Sequence, residues 1–354
     1  KILITDPVSG NGIKILEKSG IEVINKPGVD LDQLKSILPD IDGWIIRSGT
    51  KINKTHLDHA KKLRVIGRAG VGVDNIDIDS ATDNGVVVMN VPDGNTISAA
   101  EHTMALISAL SRNIQKGHLS LMKGEWRRNE LVGNELKNKT LGVVGLGKIG
   151  REVIKRALGY EMNIMGYDPY VNKQLFDLDK IDIVDLDVLI KESDYITVHV
   201  PLIDSTRNMF NYETLSKMKS NARIVNVARG GIINESDLAR ILNEDKINGA
   251  AIDVFENEPL SKDSLLIGAK NILLTPHLGA STFEAKEGVS TSICNQLIDF
   301  LLDDKLSNAI NLPIADMELL KALEPYLRLG DIMGSFVSQL VKSPITALEV
   351  ESFG

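Results

Sequence analysis

Three glycines lie at the spacing of a loop that binds phosphate groups. They form the G-x-G-x-x-G pattern of residues 145–150, which follows an apolar stretch and precedes a helical pattern. In such a loop the first glycine permits a tight turn, the second admits a pyrophosphate, and the third lets helix and strand pack closely. Asp168 follows Gly150 by 18 residues, near the ~20 expected for an acid that binds ribose hydroxyls. Because this carboxylate would repel a 2′-phosphate, the pattern predicts NAD rather than NADP.

His277 is the histidine best placed to move the proton that accompanies hydride transfer. An acid/base group with a pKa near neutrality suits that step, and histidine meets this condition most often. His277 follows an apolar stretch and precedes small residues, so it is predicted at the carboxyl end of a parallel strand, where such sheets bind ligands. The other five histidines are predicted to be surface, packing or structural residues: His56, His59, His102, His118 and His199.

Two further predicted strand ends carry charged residues to the same edge. Arg229 follows one strand between small residues, and the acids of residues 253–258 follow another. A guanidinium holds a carboxylate through two hydrogen bonds and stabilises a developing alkoxide. An acid bound to an imidazole fixes its tautomer. An arginine, an acid and a histidine together therefore indicate a site that interconverts 2-hydroxy acids and 2-keto acids.

The elements that must position these residues alternate between strand and helix. The alternation runs through residues 1–91 and again through 140–276, which predicts an α/β fold with two doubly wound parallel-sheet units and a short C-terminal tail. One helical stretch is predicted over 98–123 and another over 283–302. The first has apolar residues on more than one face, which predicts at least a dimer.

Composition narrows the class of protein. Of 354 residues, 43% are hydrophobic and 25% charged, which is typical of a globular chain. The net charge of −8 argues against nucleic-acid binding, and no apolar stretch approaches the ~18 residues that a membrane span needs. The lone Cys294 predicts neither a disulfide framework nor a cysteine-built metal site, and it favours a cytoplasmic setting.

With these motifs, residues 1–313 resemble the D-isomer-specific 2-hydroxyacid dehydrogenase family. The resemblance implies that Arg229 binds substrate, that Glu258 pairs with His277, and that His277 is the acid/base. It implies a flavodoxin-like substrate domain (1–97 and 278–312) and a Rossmann NAD domain (98–277), with a tail over 313–354. The residues predicted to contact NAD are Gly145, Leu146, Gly147, Lys148, Ile149, Gly150, Asp168, Pro201, Ala228, Asp253, His277 and Gly279.

Within the family, the chain resembles the members that oxidise 3-phospho-D-glycerate to 3-phosphohydroxypyruvate in serine synthesis. Arg47 and Arg68 would face the phosphate and carboxylate, and the backbone of residues 70–72 would supply N–H groups. By the same resemblance, the segment around Arg128 reaches the site of a neighbouring subunit. The residues predicted to contact substrate, beside Arg229 and His277, are Arg47, Ser48, Arg68, Gly70, Val71, Gly72 and Arg128.

Two other functions stay open. One is a reductase of glyoxylate, hydroxypyruvate or D-lactate, against which Arg47 and Arg68 argue because those substrates carry no phosphate. The other is a non-catalytic NAD-sensing corepressor, similar to the C-terminal-binding proteins, which an Arg–Glu–His set does not exclude.

The tail predicts a helix over 317–342 and a strand over 345–351. It resembles the opening of an intervening domain that precedes a serine-binding regulatory domain in longer relatives. We therefore expect the chain to be a fragment that lacks the serine-binding site. A short tail that folds back on its own body, or on a neighbour, is the alternative.

Overall fold

Parallel pairing builds both sheets of the molecule. The computed structural model describes residues 1–29, 31–171, 180–312 and 317–340. These residues contain a five-stranded and a seven-stranded sheet, and every strand pair in them is parallel. The predicted α/β fold with two doubly wound sheets is confirmed.

The first sheet has the strand order β2-β1-β3-β4-β5, which is flavodoxin-like. Its strands are β1 (Ile2–Ile4), β2 (Val23–Asn25), β3 (Gly43–Ile46), β4 (Val65–Arg68) and β5 (Val87–Met89). The helices between them are α1 (Gly10–Lys18), α2 (Lys54–His59) and α3 (Ile78–Asp83). The predicted alternation over 1–91 includes a helix over 31–38, and this is wrong: the structure has two short 3-10 turns there, Leu31–Leu34 and Leu38–Asp40.

The single helix predicted over 98–123 is also wrong. The structure has α4 (Thr96–Ser111) and α5 (Ile114–Met122), separated at Asn113, whose φ of 51° is left-handed. Asparagine tolerates this conformation better than most residues. The Asn113 amide donates to the backbone carbonyls of Leu131 and Val132. These hydrogen bonds hold the segment that follows α5 against the break between the two helices.

The second sheet has the order β12-β11-β10-β9-β6-β7-β8, with the reversal between β6 and β9 that marks a dinucleotide fold. Its strands are β6 (Thr140–Val144), β7 (Asn163–Tyr167), β8 (Ile181–Ile183), β9 (Tyr195–Val198), β10 (Arg223–Asn226), β11 (Gly249–Ile252) and β12 (Ile272–Leu274). Its helices are α6 (Lys148–Gly159), α7 (Leu186–Glu192), α8 (Tyr212–Ser216) and α9 (Glu235–Asn243). Strand β8 was not predicted. The central strands β9, β10 and β11 are buried along their whole length, as expected for a sheet covered on both faces.

Helix α10 (Phe283–Asp303) returns the chain to the first sheet. It packs against α1 and β4, and its side chains Ile293 and Leu297 lie over Gly67 of β4. Cys294 of this helix is buried, and burial raises the pKa of its thiol to about 12. The predicted domain boundaries stay a prediction.

A last helix, α11 (Met317–Leu340), contains Pro325. Several apolar side chains on it are exposed, among them Tyr326, Met333 and Phe336. The predicted strand over 345–351 lies outside the described residues. Across the residues that are described, none of the helices combines the length and apolarity needed to cross a membrane.

The contact between α10 and β4 gives a stability prediction. A β-carbon at Gly67 would lie 2.5 Å from Cδ1 of Leu297 and 2.8 Å from Cγ1 of Ile293. We expect Gly67→Ala to lower the free energy of unfolding by about 1–3 kcal/mol, the usual cost of overpacking, as measured by urea denaturation.

Gly159→Ala is the matched control, because a β-carbon at that helical position meets no atom within 4 Å. Its stability should be unchanged or slightly raised. Equal stabilities for the two variants would contradict the close packing of α10 on β4.

Candidate active site

Three neighbouring strands deliver the candidate catalytic residues to one edge of the second sheet. The ends of β10, β11 and β12 are in register, with Asn226 beside Ile252 and Ile252 beside Leu274. Arg229, Asp253 and His277 follow these ends, so the parallel pairing places them at the ligand-binding edge.

His277 and Glu258 form a hydrogen-bonded pair. Nδ1 of His277 lies 2.7 Å from Oε2 of Glu258, whose other oxygen accepts the Phe255 N–H at 3.0 Å. Burial would raise the pKa of Glu258, but the hydrogen bonds from His277 and Phe255, with the His277 charge, outweigh it and leave that pKa below its ordinary value. The ionised Glu258 therefore accepts from Nδ1. Nε2 makes no hydrogen bond to any described residue and is left to exchange a proton with a bound molecule.

Asp253 holds the turn that carries His277. Its fully buried carboxylate accepts hydrogen bonds from the Thr275 hydroxyl at 2.6 Å and from the backbone N–H groups of Leu278 and Gly279 at 2.7 and 2.8 Å. Its backbone carbonyl accepts the His277 N–H at 2.8 Å, where His277 has a left-handed φ of 54°. The carboxylate thus fixes residues 275–279 before any ligand binds.

His102 was predicted to be a packing or surface residue, and the structure brings it to Asp253 of the candidate site. Its Nε2 lies 3.2 Å from Oδ1 of Asp253 and 3.3 Å from the Thr275 hydroxyl. Burial would raise the pKa of Asp253, yet the bonds from His102, Thr275 and Leu278 keep it below its ordinary value. The sequence gave only a weak indication of this contact, namely a histidine within an apolar helical stretch. The contact joins residues 151 positions apart, so no local pattern predicts it.

Three arginines converge on the first-sheet side of the site. Arg47 follows β3, Arg68 ends β4, and Arg229 comes from the second sheet. Nε of Arg68 is buried without a hydrogen-bond partner among the described residues. Burial, followed by the positive charges of Arg229 and Arg47, lowers the pKa of Arg68 to about 10. Two carboxylates offset part of this charge: Asp74, whose Oδ2 lies 3.1 Å from Nε of Arg229, and Asp6. This excess of positive charge favours an anionic ligand.

Gly70 and Gly72 make room for these guanidiniums. A β-carbon at Gly70 would overlap Nη1 of Arg68, and one at Gly72 would overlap Nη2 of Arg229. Gly70 also has a φ of 151°, which L side chains rarely adopt. Gly70 and Gly72, which were predicted to contact substrate, therefore lie directly against the guanidinium groups of Arg68 and Arg229. Val71 lies between the two glycines, and Ser48 is exposed beside Arg47.

The glycine loop has the shape that a dinucleotide requires. Gly145 has a left-handed φ of 96°, a β-carbon at Gly150 would overlap the Gly145 carbonyl, and one at Gly147 would meet open space. Asp168, just after β7, accepts the Leu146 N–H at 3.0 Å and so lies at the mouth of the loop. These residues fit the pyrophosphate and ribose of NAD.

The other residues predicted to contact NAD differ in the burial and the partners of their side chains. The side chains of Leu146 and Ile149 pack into the core, so only their backbone faces the loop. Nζ of Lys148 is paired with Asp93. Pro201 is exposed after β9, Ala228 is half-buried after β10, and Gly279 is buried against Asp253.

Arg128 is not brought into contact with the three arginines. It starts an exposed 3-10 turn, Arg128–Glu130, and its side chain makes no hydrogen bond or ion pair within the described part of the chain. Arg127 beside it is paired with Glu130 at 2.6 Å. A role for Arg128 at a neighbouring subunit stays a prediction. No cluster of His, Cys, Asp or Glu suited to a metal ion occurs among the residues described.

The fold and the site define an NAD-binding oxidoreductase. A family profile for the D-isomer specific 2-hydroxyacid dehydrogenase, NAD binding domain, matches residues 104–279. Two curated relatives are the D-3-phosphoglycerate dehydrogenases of Methanocaldococcus jannaschii and of a Synechocystis species. They are 45% and 43% identical over 99% of this chain, which spans 67% and 63% of their length. The chain therefore belongs to the D-isomer-specific 2-hydroxyacid dehydrogenase family.

Solved structures agree with that assignment. The TT0316 protein of Thermus thermophilus superposes with a TM-score of 0.81 at 30% identity, over 87% of this chain and 99% of that protein. An NAD-dependent formate dehydrogenase of Staphylococcus aureus, solved with NAD, superposes with a TM-score of 0.78 at 30% identity, over 87% of this chain and 98% of that enzyme. NAD is thus the cofactor of this chain.

The His102 contact predicts an effect on NAD binding. Replacing His102 by alanine removes a donor from a buried carboxylate, which costs ~1–3 kcal/mol at such groups. We expect His102→Ala to weaken NAD at least several-fold in a fluorescence titration, because the 275–279 turn loosens.

His102→Gln keeps a donor near Asp253 and should recover most of the affinity. His118→Ala, on the exposed face of α5, is the control and should bind NAD like the parent. Unchanged NAD affinity in His102→Ala would show that the turn does not need this donor.

Proposed function

We propose that the chain oxidises 3-phospho-D-glycerate at C2 to 3-phosphohydroxypyruvate, the entry to serine synthesis. The observation that carries the proposal is the group of Arg47, Arg68 and Arg229, which has too few carboxylates to balance its charge. Arg229 follows the same sheet edge as His277. A substrate with a carboxylate at one end and a phosphate at the other supplies two anions to this group. The names of the relatives support the same substrate.

His277 would act as the base in this direction. Its Nε2 takes the C2 hydroxyl proton, and the ionised Glu258 on Nδ1 stabilises the imidazolium that forms. Arg229 holds the carboxylate through the part of its guanidinium that Asp74 leaves free, and it stabilises negative charge on the C2 oxygen. The chemistry that NAD supplies when bound is acceptance of the hydride from C2.

The proposed architecture places the substrate site between two domains, 1–97 with 278–312 and 98–277. Arg68 and Arg229 come from different sheets and lie within electrostatic range of each other, which supports a site at the domain junction. Self-association through α4 and α5, as at least a dimer, is part of the proposal. Ile114, Leu121 and Met122 of α5 are exposed apolar side chains that support it. The cytoplasmic setting stays a prediction.

Steady-state assays test the proposed substrate. With NAD, we expect kcat/KM for 3-phospho-D-glycerate to exceed that for D-lactate by roughly 10²-fold or more, because a lost phosphate contact removes charge-assisted hydrogen bonds. Preference for D-lactate, or for glyoxylate in reverse, would favour a reductase. No turnover of any of these, with NAD still bound, would favour the corepressor-like function.

Arg229 gives a sharper test of carboxylate binding. Lysine keeps the charge but cannot form two parallel hydrogen bonds, so Arg229→Lys should lower kcat/KM by roughly 10- to 100-fold. Arg64→Lys is the control: Arg64 pairs with Asp304 at the surface, and its kcat/KM should stay unchanged. Near-parental kinetics of Arg229→Lys would remove this residue from the site.

The His277–Glu258 pair predicts an effect of the Glu258 charge on catalysis. Hydrogen bonds from His277 and Phe255 outweigh burial and hold the pKa of Glu258 below its ordinary value, so this carboxylate stays ionised at neutral pH and loses its charge only as the pH falls below the usual range of a glutamate. Glu258→Gln removes the charge that stabilises the imidazolium, so kcat/KM at neutral pH should fall by roughly 10²-fold.

Glu256→Gln is the control. Glu256 is an exposed neighbour, and its replacement should leave kcat/KM in place. Parental kcat/KM in Glu258→Gln would mean that the Glu258 carboxylate does not assist His277.

A further inference from the structure

A pocket lies at the edge of the second sheet opposite to the active site. Arg223 begins β10, Asn271 precedes β12, and Asn248 precedes β11, whereas Arg229, Asp253 and His277 follow the other ends of these strands. The C-terminal part of α4 and the start of α5 close the pocket on one side. The pocket is therefore no part of the NAD or substrate site.

Arg223 lies on the floor of this pocket and has no acidic partner. Its residue surface is 6% exposed, and it forms no ion pair with any described residue. Its Nη1 makes two long hydrogen bonds, at 3.4 Å, to the Tyr195 hydroxyl and the Asn221 carbonyl, and its guanidinium lies 5.4 Å from the Tyr195 ring centre. Buried arginines in proteins are normally paired, because desolvation of an uncompensated charge is costly.

A second cation faces the same space. Lys116 of α5 lies at the mouth, where its Nζ donates to Oδ1 of Asn271 at 2.6 Å. Burial, and then the charges of Arg223 and Arg127, lower the pKa of Lys116, so the two cations destabilise each other. None of the residues that line the pocket is acidic, and four of them carry side-chain amides: Asn113, Gln115, Asn248 and Asn271.

We propose that this pocket is a second anion site, which binds a small molecule through a phosphate or carboxylate group. Arg223 supplies charge at the floor, Lys116 supplies it at the mouth, and the amides of Gln115, Asn248 and Asn271 supply neutral donors between them. The pocket volume of about 30 Å³ corresponds to roughly two water molecules on the same measure, which is room for one oxyanion group and not for a bulky side chain.

The proposal can be tested by counting the inorganic phosphate ions that one chain binds. The active-site arginines also suit phosphate, so we expect two phosphate ions per chain by isothermal titration at constant ionic strength. Lys116→Gln should weaken the second site roughly tenfold or more. Lys123→Gln, an exposed lysine at the end of α5 that does not line the pocket, should retain both sites.

The thermal stability of Arg223→Met tests the role of Arg223 independently of the titration. Because Arg223 lacks a carboxylate partner, an apolar replacement of similar length should not reduce stability in phosphate-free buffer. Phosphate should then raise the melting temperature of this variant less than that of the parent. Equal phosphate binding by Lys116→Gln and Lys123→Gln would overturn the proposal. So would a single phosphate site in the parent together with a shift toward monomer in Lys116→Gln, because a second copy would then supply the counter-charge.

Discussion

The buried carboxylate of Asp253 is the interaction on which the active site depends. An ionised group without exposure is tolerated only where hydrogen bonds satisfy it, and here they come from the backbone of residues 278 and 279, from Thr275 and from His102. The same residue's carbonyl holds His277 in a left-handed conformation that side-chain-bearing residues rarely adopt. The imidazole is thus oriented by β11 and β12 before substrate or NAD arrives, and Glu258 has only to fix its tautomer.

The arginine group shows the opposite balance, because its charges are left partly unsatisfied. Gly70 and Gly72 lack side chains where Arg68 and Arg229 lie, so the backbone allows the guanidiniums to approach despite their repulsion. The cost appears in Arg68, whose Nε has no hydrogen-bond partner among the described residues and whose pKa is lowered. A bound anion would relieve this cost. Part of the favourable free energy of anion binding would therefore come from removing the repulsion among the arginines of the free protein. Such preorganised charge is the usual source of electrostatic stabilisation in enzymes.

Sequence reasoning was reliable where a local pattern decides the structure. The glycine loop, the alternation of strands and helices, and the edge that gathers Arg229, Asp253 and His277 all follow from spacing and parallel pairing. It was wrong where one residue interrupts a pattern, as Asn113 does between α4 and α5. It missed His102, whose partner is distant in sequence, and it missed β8, a short edge strand. Long-range contacts carry no periodic signal, so only the folded chain shows them.

Local charge, and not the net charge of the chain, decides which ligands it can take. Acids outnumber bases and give the chain a net charge of −8, which is the basis of the prediction against nucleic-acid binding. Yet both ends of strands β10–β12 carry arginines without enough carboxylates. At the carboxyl ends, Arg229 joins Arg47 and Arg68; at the amino ends, Arg223 faces Lys116. Since acids are abundant elsewhere on the surface, their shortage beside these arginines and Lys116 is a property of the fold. Each end of the sheet is therefore suited to an anion small enough to enter it.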